Sequence, residues 1–431
     1  MSDIPISKIA RTTRYGAAWS KVGLRTVNNK IKQIAQLSAK SDAEIQEENA
    51  KTIFKALSKL RGTALKMAQI LSLETGVLPQ KYVDELSKSC YRVKPLNKAL
   101  IRRLIKTELG DYPEKIFAEF DLQAFAAASL GQVHAARDKE QNKLAIKVQY
   151  PGIDKTLQND MAMVKMSVKL LANYPMVHKS IDEIEQRLAE EVDYHHEAQY
   201  LIWFKDKLKD QAVVIPRFYP QYSTKRVLAM EHINGVHLEE WLANKPSQSE
   251  RNKAAQNLFD IYCHCFFELK TFQADSNIGN YLFLTNQQIA LIDFGCIKKV
   301  KDNFPRYIVE LVAASESHNK QAIFNAFRNL QLINKDNEHL IENYYTELFI
   351  PLAKWICQPY LKENFSFSVD KNYASEVLPL SHFMAMNKDF SSVDTDLIYF
   401  LRGLHGLYKI FEIMDVTIEL RSRLPDFFAG L

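Results

Sequence analysis

The chain is 431 residues long, 47% hydrophobic and 25% charged, with a formal net charge of +5. That length and apolar content suffice for a full buried core, and so small a positive excess excludes a nucleic-acid partner held by a basic surface. The five cysteines (Cys90, Cys263, Cys265, Cys296 and Cys357) form an odd set without metal-ligand spacing, which points to a reducing compartment.

Residues 1–41 carry eight Lys/Arg against one acid, Asp3. Three readings stay open for this segment: a transit peptide, a basic amphipathic helix on an anionic membrane, or a solvated basic face. Residues 42–60 read as a charged amphipathic helix, and 62–73 continue helically until Gly76 and Pro79. Lys66 and Gln69, three apart, share one face of that helix, and spacing alone makes it a solvated face. Residues 82–89 and 96–109 are predicted as two more helices, with Gly110 as the stop.

The first strands are predicted within 120–136, around a loop of Ala126, Ala127, Ala128 and Ser129. Residues 144–149 form the next strand, where Lys147 faces opposite to Ile146 and Val148. An extra helix is expected over 153–173 and a longer one over 181–209. On that second helix Glu191 and Glu197 are six positions apart, about 240° round the axis, so both cannot reach one partner. Short strands at 213–215 and 227–230 precede a connector at 231–235.

Residues 249–272 read as a long apolar helix. Cys263 and Cys265 lie on it at i and i+2, which point apart, so core packing is preferred to a zinc pair. A hairpin of 281–284 and 289–292 turns at Thr285-Asn286-Gln287-Gln288, and the chain after Gly295 is predicted helical to its end. No apolar run reaches about 18 residues. The stretch 397–420 is broken by Arg402, Lys409, Glu412, Asp415 and Glu419, so a soluble or peripheral protein is expected.

Lys147, Asp275, Asn280 and Asp293-Phe294-Gly295 have the order and spacing of a protein-kinase active site. Such a site needs a strand lysine for the nucleotide phosphates and an aspartate to orient the attacking hydroxyl. It also needs an asparagine and a second aspartate for metal. The glycine-rich phosphate loop is missing. Three alanines stand in its place, and a Cβ penalises the left-handed backbone that glycine allows. There is no Ala-Pro-Glu and no long activation segment, so substrate docking cannot follow the ordinary protein-kinase pattern.

Residues 126–132, Lys147, Glu191-Val192-Asp193, 275–280 and 293–295 resemble the UbiB-type atypical kinases, kinase-like proteins tied to coenzyme Q. Lys66-Met67-Ala68-Gln69 is similar to that family's Lys-x-Gly-Gln hallmark, and 4–11 resembles the branch with the mitochondrial coenzyme Q kinases. The resemblance runs from about residue 5 to about 298. It speaks against a transit peptide, because the segment from Pro5 to Gly23 resembles one retained in mature members. Ala68 stands where the family usually has glycine, and Ser276 where it usually has proline.

The resemblance implies an α/β bilobal protein-kinase-like fold with a helical N-terminal extension. Its parts are a basic segment (1–41), the extension (42–115), an N-lobe with an inserted helix (116–233) and a helical C-lobe (234–431). It implies ATP and Mg²⁺. The nucleotide is expected at Ala126, Ala127, Ala128, Ser129, Lys147, Met230, Glu231 and Ile233, and the metal at Asn280 and Asp293. Asp275 is the expected catalytic aspartate. Glu191 is expected to take Lys147 at rest, while Glu197 holds the position that pairs with lysine in ordinary kinases. Lys66 and Gln69 are expected on an active-site lid.

The implied function is an atypical kinase or ATPase supporting ubiquinone biosynthesis. The alternative is a nucleotide-gated scaffold or lipid-binding protein without productive phosphoryl transfer. ATP and ADP are the expected small partners. An anionic membrane surface, quinone-pathway lipids and enzymes, and a second copy of the chain stay open. A bacterial cytoplasm, with the membrane surface, is preferred to mitochondria.

Overall fold

The structure, a computed structural model, describes residues 96–424 except 129, 154–160, 163–164, 166–184, 186–188, 286–287, 370–371 and 391; before 96 it describes only 20, 24, 28, 48 and 52. The basic segment, the lid with Lys66 and Gln69, Ser129 and most of the helix expected over 153–173 therefore lie outside the described residues.

In chain order the elements used below are α1 (Lys98–Leu109), β1 (Glu119–Phe120), β2 (Ala126–Ala128), β3 (Gly131–Arg137), β4 (Lys143–Gln149), α2 (Tyr194–Lys207), β5 (Val213–Val214) and β6 (Val227–Glu231). They continue as α3 (Gln248–Cys263), β7 (Thr271–Gln273), β8 (Tyr281–Phe283), β9 (Ile289–Leu291), β10 (Ile297–Lys299), α4 (Phe304–Glu316), β11 (Asn364–Ser366), α5 (Thr395–Met414) and β12 (Thr417–Glu419). The chain divides into two compact units. One is Met1–His196, Tyr219–Glu231 and Met384–Ser391; the other is Glu197–Phe218, His232–Phe383 and Ser392–Leu431.

The first unit is built on an antiparallel sheet in the order β1-β3-β4-β6, with β2 also paired to β3. One face carries Ala136, Leu144, Ile146, Val148, Val227 and Ala229, and α1 packs there through Ile101 and Ile105. Those two are four apart, hence on one side of the helix. The Asn97 side chain caps the start of α1, and Gly110 ends it at φ +92. Gly131 is needed for another reason: a Cβ there would lie 2.3 Å from the Val148 carbonyl oxygen.

Within this unit two expectations are corrected. Ala126, Ala127 and Ala128 are not a loop but strand β2, in register with Val133, Gln132 and Gly131. Ladder hydrogen bonds to β3 override the helical preference of an alanine run. The helix expected over 181–209 is also two pieces. It breaks at Val192–Asp193, where the Val192 carbonyl accepts from Gln149 Nε2 at 2.9 Å. The Asp193 carboxylate then accepts from His195 N at 3.0 Å and starts α2 afresh.

The second unit is mainly helical. Ser247 and Glu250 form a reciprocal cap at the start of α3. The predicted 249–272 helix is shorter than expected: after one wide turn, His264–Glu268, Lys270 takes φ +51 and Thr271–Gln273 becomes strand β7. That strand pairs antiparallel with β10, just past Gly295. Strands β10, β11 and β12 interrupt a stretch expected to be helical throughout. The hairpin of β8 and β9 is as expected, and β5 joins it in parallel. Phe259, Phe266, Phe272, Phe304 and Phe400 lie in the buried core, with Phe266 in ring contact with Phe272, Phe304 and Phe400. Among the described residues no helix is long and apolar enough to cross a membrane.

Candidate active site

In the first unit Lys147 sits mid-strand on β4, facing opposite to the apolar pair Ile146 and Val148, and is 7% exposed. Its ammonium stands 5.2 Å from the centroid of the Tyr194 ring, close enough for a cation–π contact. Tyr194 is held by its own backbone N–H, which donates to the Lys225 carbonyl at 3.0 Å. Asp193, the acid of the Glu-x-Asp motif, is 3.3 Å from Lys225 Nζ. The motif's aspartate therefore caps a helix and pins Tyr194 against the sheet, a role that its sequence spacing did not reveal.

The alanine strand is level with the lysine. Val133 pairs with Ala126 on one side and with Lys147 on the other, so the two lie about two strand spacings apart, roughly 10 Å. Met230 and Glu231 end β6, in register with Ala145 and Leu144. Ile233 follows in the connector, already in the second unit. Glu191 is half-buried at the end of the preceding helical stretch, and Glu197 is buried in the first turn of α2. Because the helix breaks between them, the 240° relation expected of one continuous helix does not hold. His195 and His196 are exposed.

In the second unit the structure brings Asp275, Asn280 and Asp293 together. The Asp275 carbonyl accepts from Asn277 N at 2.8 Å and from Asn280 Nδ2 at 2.9 Å. The turn is thus closed on the backbone carbonyl of Asp275 and not on its carboxylate. Asn277 takes the turn-forming role instead, accepting from Gly279 N through Oδ1 at 2.9 Å. The Asn280 carbonyl accepts from Ile292 N at 3.0 Å, which sets Asn280 beside the residue before Asp293.

Asp293 is fastened at two points. Its carbonyl accepts from Gln273 Nε2 at 2.8 Å, and its Oδ1 accepts from Gly295 N at 2.9 Å. Phe294 is buried and packs 5.5 Å from the Phe204 ring of α2. The Tyr281 hydroxyl, beside this turn, is pushed well above its ordinary range by burial, against a hydrogen bond from Ser276. One amide oxygen (Asn280) and one carboxylate (Asp293) on adjacent strand ends suit a hard divalent cation that completes its shell with phosphate and water oxygens. The donor set therefore fits Mg²⁺.

Cys263 at the end of α3 and Cys265 in the wide turn after it are both buried, and burial raises the Cys265 thiol to about 12. Three residues were missed in the sequence. Gln273 carries no motif. Tyr194 is hidden beside the Glu-x-Asp signature. Arg402, whose guanidinium lies 3.7 Å from Asp275 Oδ1, was counted only as a charge that interrupts an apolar run. That interruption was the available signal, because a charged side chain within a buried stretch needs a partner.

The description of the ABC1 atypical kinase-like domain matches residues 90–327, more than half of the chain. The atypical kinase COQ8, mitochondrial, of Saccharomyces cerevisiae is 30% identical over 314 residues, 70% of this chain and 62% of that protein. The atypical kinase COQ8B, mitochondrial, of Rattus norvegicus is 29% identical over 345 residues, 77% of this chain and 64% of its own length. The chain thus spans about six tenths of the curated relatives it matches. A protein solved as the Rv3197–erythromycin complex from Mycobacterium tuberculosis shares the fold, with a TM-score of 0.62 over 90% of this chain and 98% of that one at 22% identity.

Proposed function

The chain belongs to the ABC1 atypical kinase-like family, and we propose that it binds Mg·ATP and uses it as an atypical kinase or ATPase in support of ubiquinone biosynthesis. The observation that carries this reading is the linked turn of Asp275, Asn280 and Asp293. Its local hydrogen bonds use the Asn280 amide nitrogen and one Asp293 carboxylate oxygen, which orients the Asn280 amide oxygen and the Asp293 carboxylate within one turn. Asn277 and the Asp275 carbonyl close the turn without the Asp275 carboxylate.

Asp275 orients the attacking hydroxyl or water and accepts its proton as the new bond to the γ-phosphorus forms and the bond from that phosphorus to the bridging oxygen of ADP breaks, with ADP as the leaving group. Asn280 Oδ1 and the Asp293 carboxylate hold Mg²⁺, which neutralises charge on the phosphates when bound. Lys147 supplies a positive charge for the α- and β-phosphates, with Tyr194 limiting its rotamers. Ala126–Ala128 offer backbone groups in place of a glycine loop, with Ser129 at their end. Met230, Glu231 and Ile233 serve the adenine. Glu191 and Glu197 are the candidate acidic partners of Lys147, and Lys66 and Gln69 restrict bulky acceptors. The quinone pathway rests on the resemblance of these motifs to the coenzyme Q kinases. We place the protein in a bacterial cytoplasm, peripheral at the membrane surface.

The test is ATP turnover by purified protein with Mg²⁺, with and without anionic liposomes and quinone-precursor phenols. Turnover that rises with either addition is expected. Tight Mg·ATP binding with no turnover under any condition would replace this reading with a nucleotide-gated scaffold.

A further inference from the structure

We infer that helix α5 fixes the catalytic turn from behind, and that Arg402 is the positioning residue that aims the Asp275 carboxylate. The inference rests on the phosphoryl-transfer reading above.

One face of α5 meets the site elements in sequence. Asp396, Tyr399, Arg402, Gly403 and Gly406 recur at three- and four-residue steps, so they form a single stripe. At its start Asp396 Oδ1 is 3.1 Å from Lys298 Nζ, with both residues buried, and Asp396 Oδ2 accepts from Lys301 N at 2.9 Å. Tyr399 presents its ring 5.0 Å from the same Lys298 ammonium. These contacts hold β10, the strand just past Gly295. One turn on, Gly403 approaches Phe272, where a Cβ would lie 3.1 Å from the ring. Arg402 beside it stands 3.7 Å from Asp275, with side chains 12% and 25% exposed. Finally Gly406 lets the helix touch Ser276: a Cβ there would lie 2.8 Å from the Ser276 carbonyl oxygen and 2.9 Å from its Cβ.

The stripe therefore grips the strand before the turn, the catalytic aspartate, the residue after it and the strand after Gly295. In ordinary protein kinases a phosphorylated activation segment helps assemble these parts. This chain has no such segment, and α5 offers a permanent substitute. The turn's backbone is fixed by hydrogen bonds to the Asp275 carbonyl, which leaves the rotation of the carboxylate itself unconstrained. Arg402 supplies that constraint. A guanidinium has a rigid planar fork, so it sets direction as well as charge. An aspartate turned away from the attacking oxygen loses its effect as base without loss of nucleotide binding.

The experiment compares wild type, Arg402→Met and Arg402→Lys by steady-state ATP turnover, Mg·ATP affinity and thermal melting. Arg402→Met is expected to lower kcat about tenfold or more while KM for ATP stays within about twofold. Arg402→Lys, which keeps the charge nearby, is expected to recover part of kcat. The melting temperature and Mg·ATP binding of Arg402→Lys should match wild type, which separates aiming from folding. Equal kcat in wild type and Arg402→Met would overturn the inference alone. So would a loss of kcat in both variants that tracks a loss of melting temperature. A wild-type protein that never turns over ATP would overturn the functional reading and this inference with it.

Discussion

Gln273 Nε2 donates to the Asp293 carbonyl at 2.8 Å, so the strand that leads into the Asp275 turn also holds the backbone of Asp293. The other end of that amide, Oε1, is buried with no hydrogen-bond partner among the described residues. Gln273 borders an apolar cavity of about 30 Å³ lined also by Tyr262, Cys265 and Leu407. Replacing Gln273 with Met keeps the volume and removes the donor. A single hydrogen bond is worth about 1 kcal/mol, so Mg·ATP affinity should fall about fivefold. Calorimetric titration of Gln273→Met checks this, and affinity equal to wild type would deny the tether a role.

Asp293→Asn keeps the size of the side chain and removes its charge. The expected outcome is loss of Mg²⁺-dependent nucleotide binding, because the metal loses the ligand that neutralises it. Thermal melting with ATP, plus or minus Mg²⁺, measures this directly. Equal Mg·ATP stabilisation of mutant and wild type would remove Asp293 from the metal site.

Gly131→Ala tests the joint between β3 and β4. Its Cβ would lie 2.3 Å from the Val148 oxygen, an overlap with backbone that no rotamer change relieves. The strands must part, and the cost should exceed about 2 kcal/mol. A urea midpoint unchanged from wild type would contradict the register.

Ala127→Gly tests the alanine strand. Glycine admits backbone angles that alanine resists. The variant should alter the affinities for ATP and ADP relative to each other. Two unchanged dissociation constants would show that β2 does not tune the nucleotide site.

His405 on α5 carries a pH dependence of stability. Burial lowers its pKa from 6.5 to about 4, with Lys409 adding to the shift and Glu412 opposing it. The folded form thus refuses a proton that the unfolded chain accepts. Its contribution is complete above pH 6.5 and is lost as pH falls toward 4, by up to about 1.4 kcal/mol per pH unit. His405→Gln should melt with a weaker dependence on pH between 6.5 and 4.5 than wild type. Identical slopes would rule out His405 as the source.

What the chain alone determined was its family and most of its local elements. The order of Lys147, Asp275, Asn280 and Asp293 pointed to the kinase-like family because order survives in one dimension, and the structure groups Asp275, Asn280 and Asp293 in one turn. Gly110 and the β8–β9 hairpin were legible because caps and turns are decided by neighbouring residues. The tertiary structure decided the rest. Ala126–Ala128 became a strand because β3 offered partners, and Thr271–Gln273 left its helix because β10 did. The long helix broke at Asp193 because Gln149, 44 positions earlier in the sequence, takes up the Val192 carbonyl. Arg402 faces Asp275 across 127 positions of sequence. Such pairings depend on side chains meeting after the chain has folded back on itself, and no local spacing encodes them.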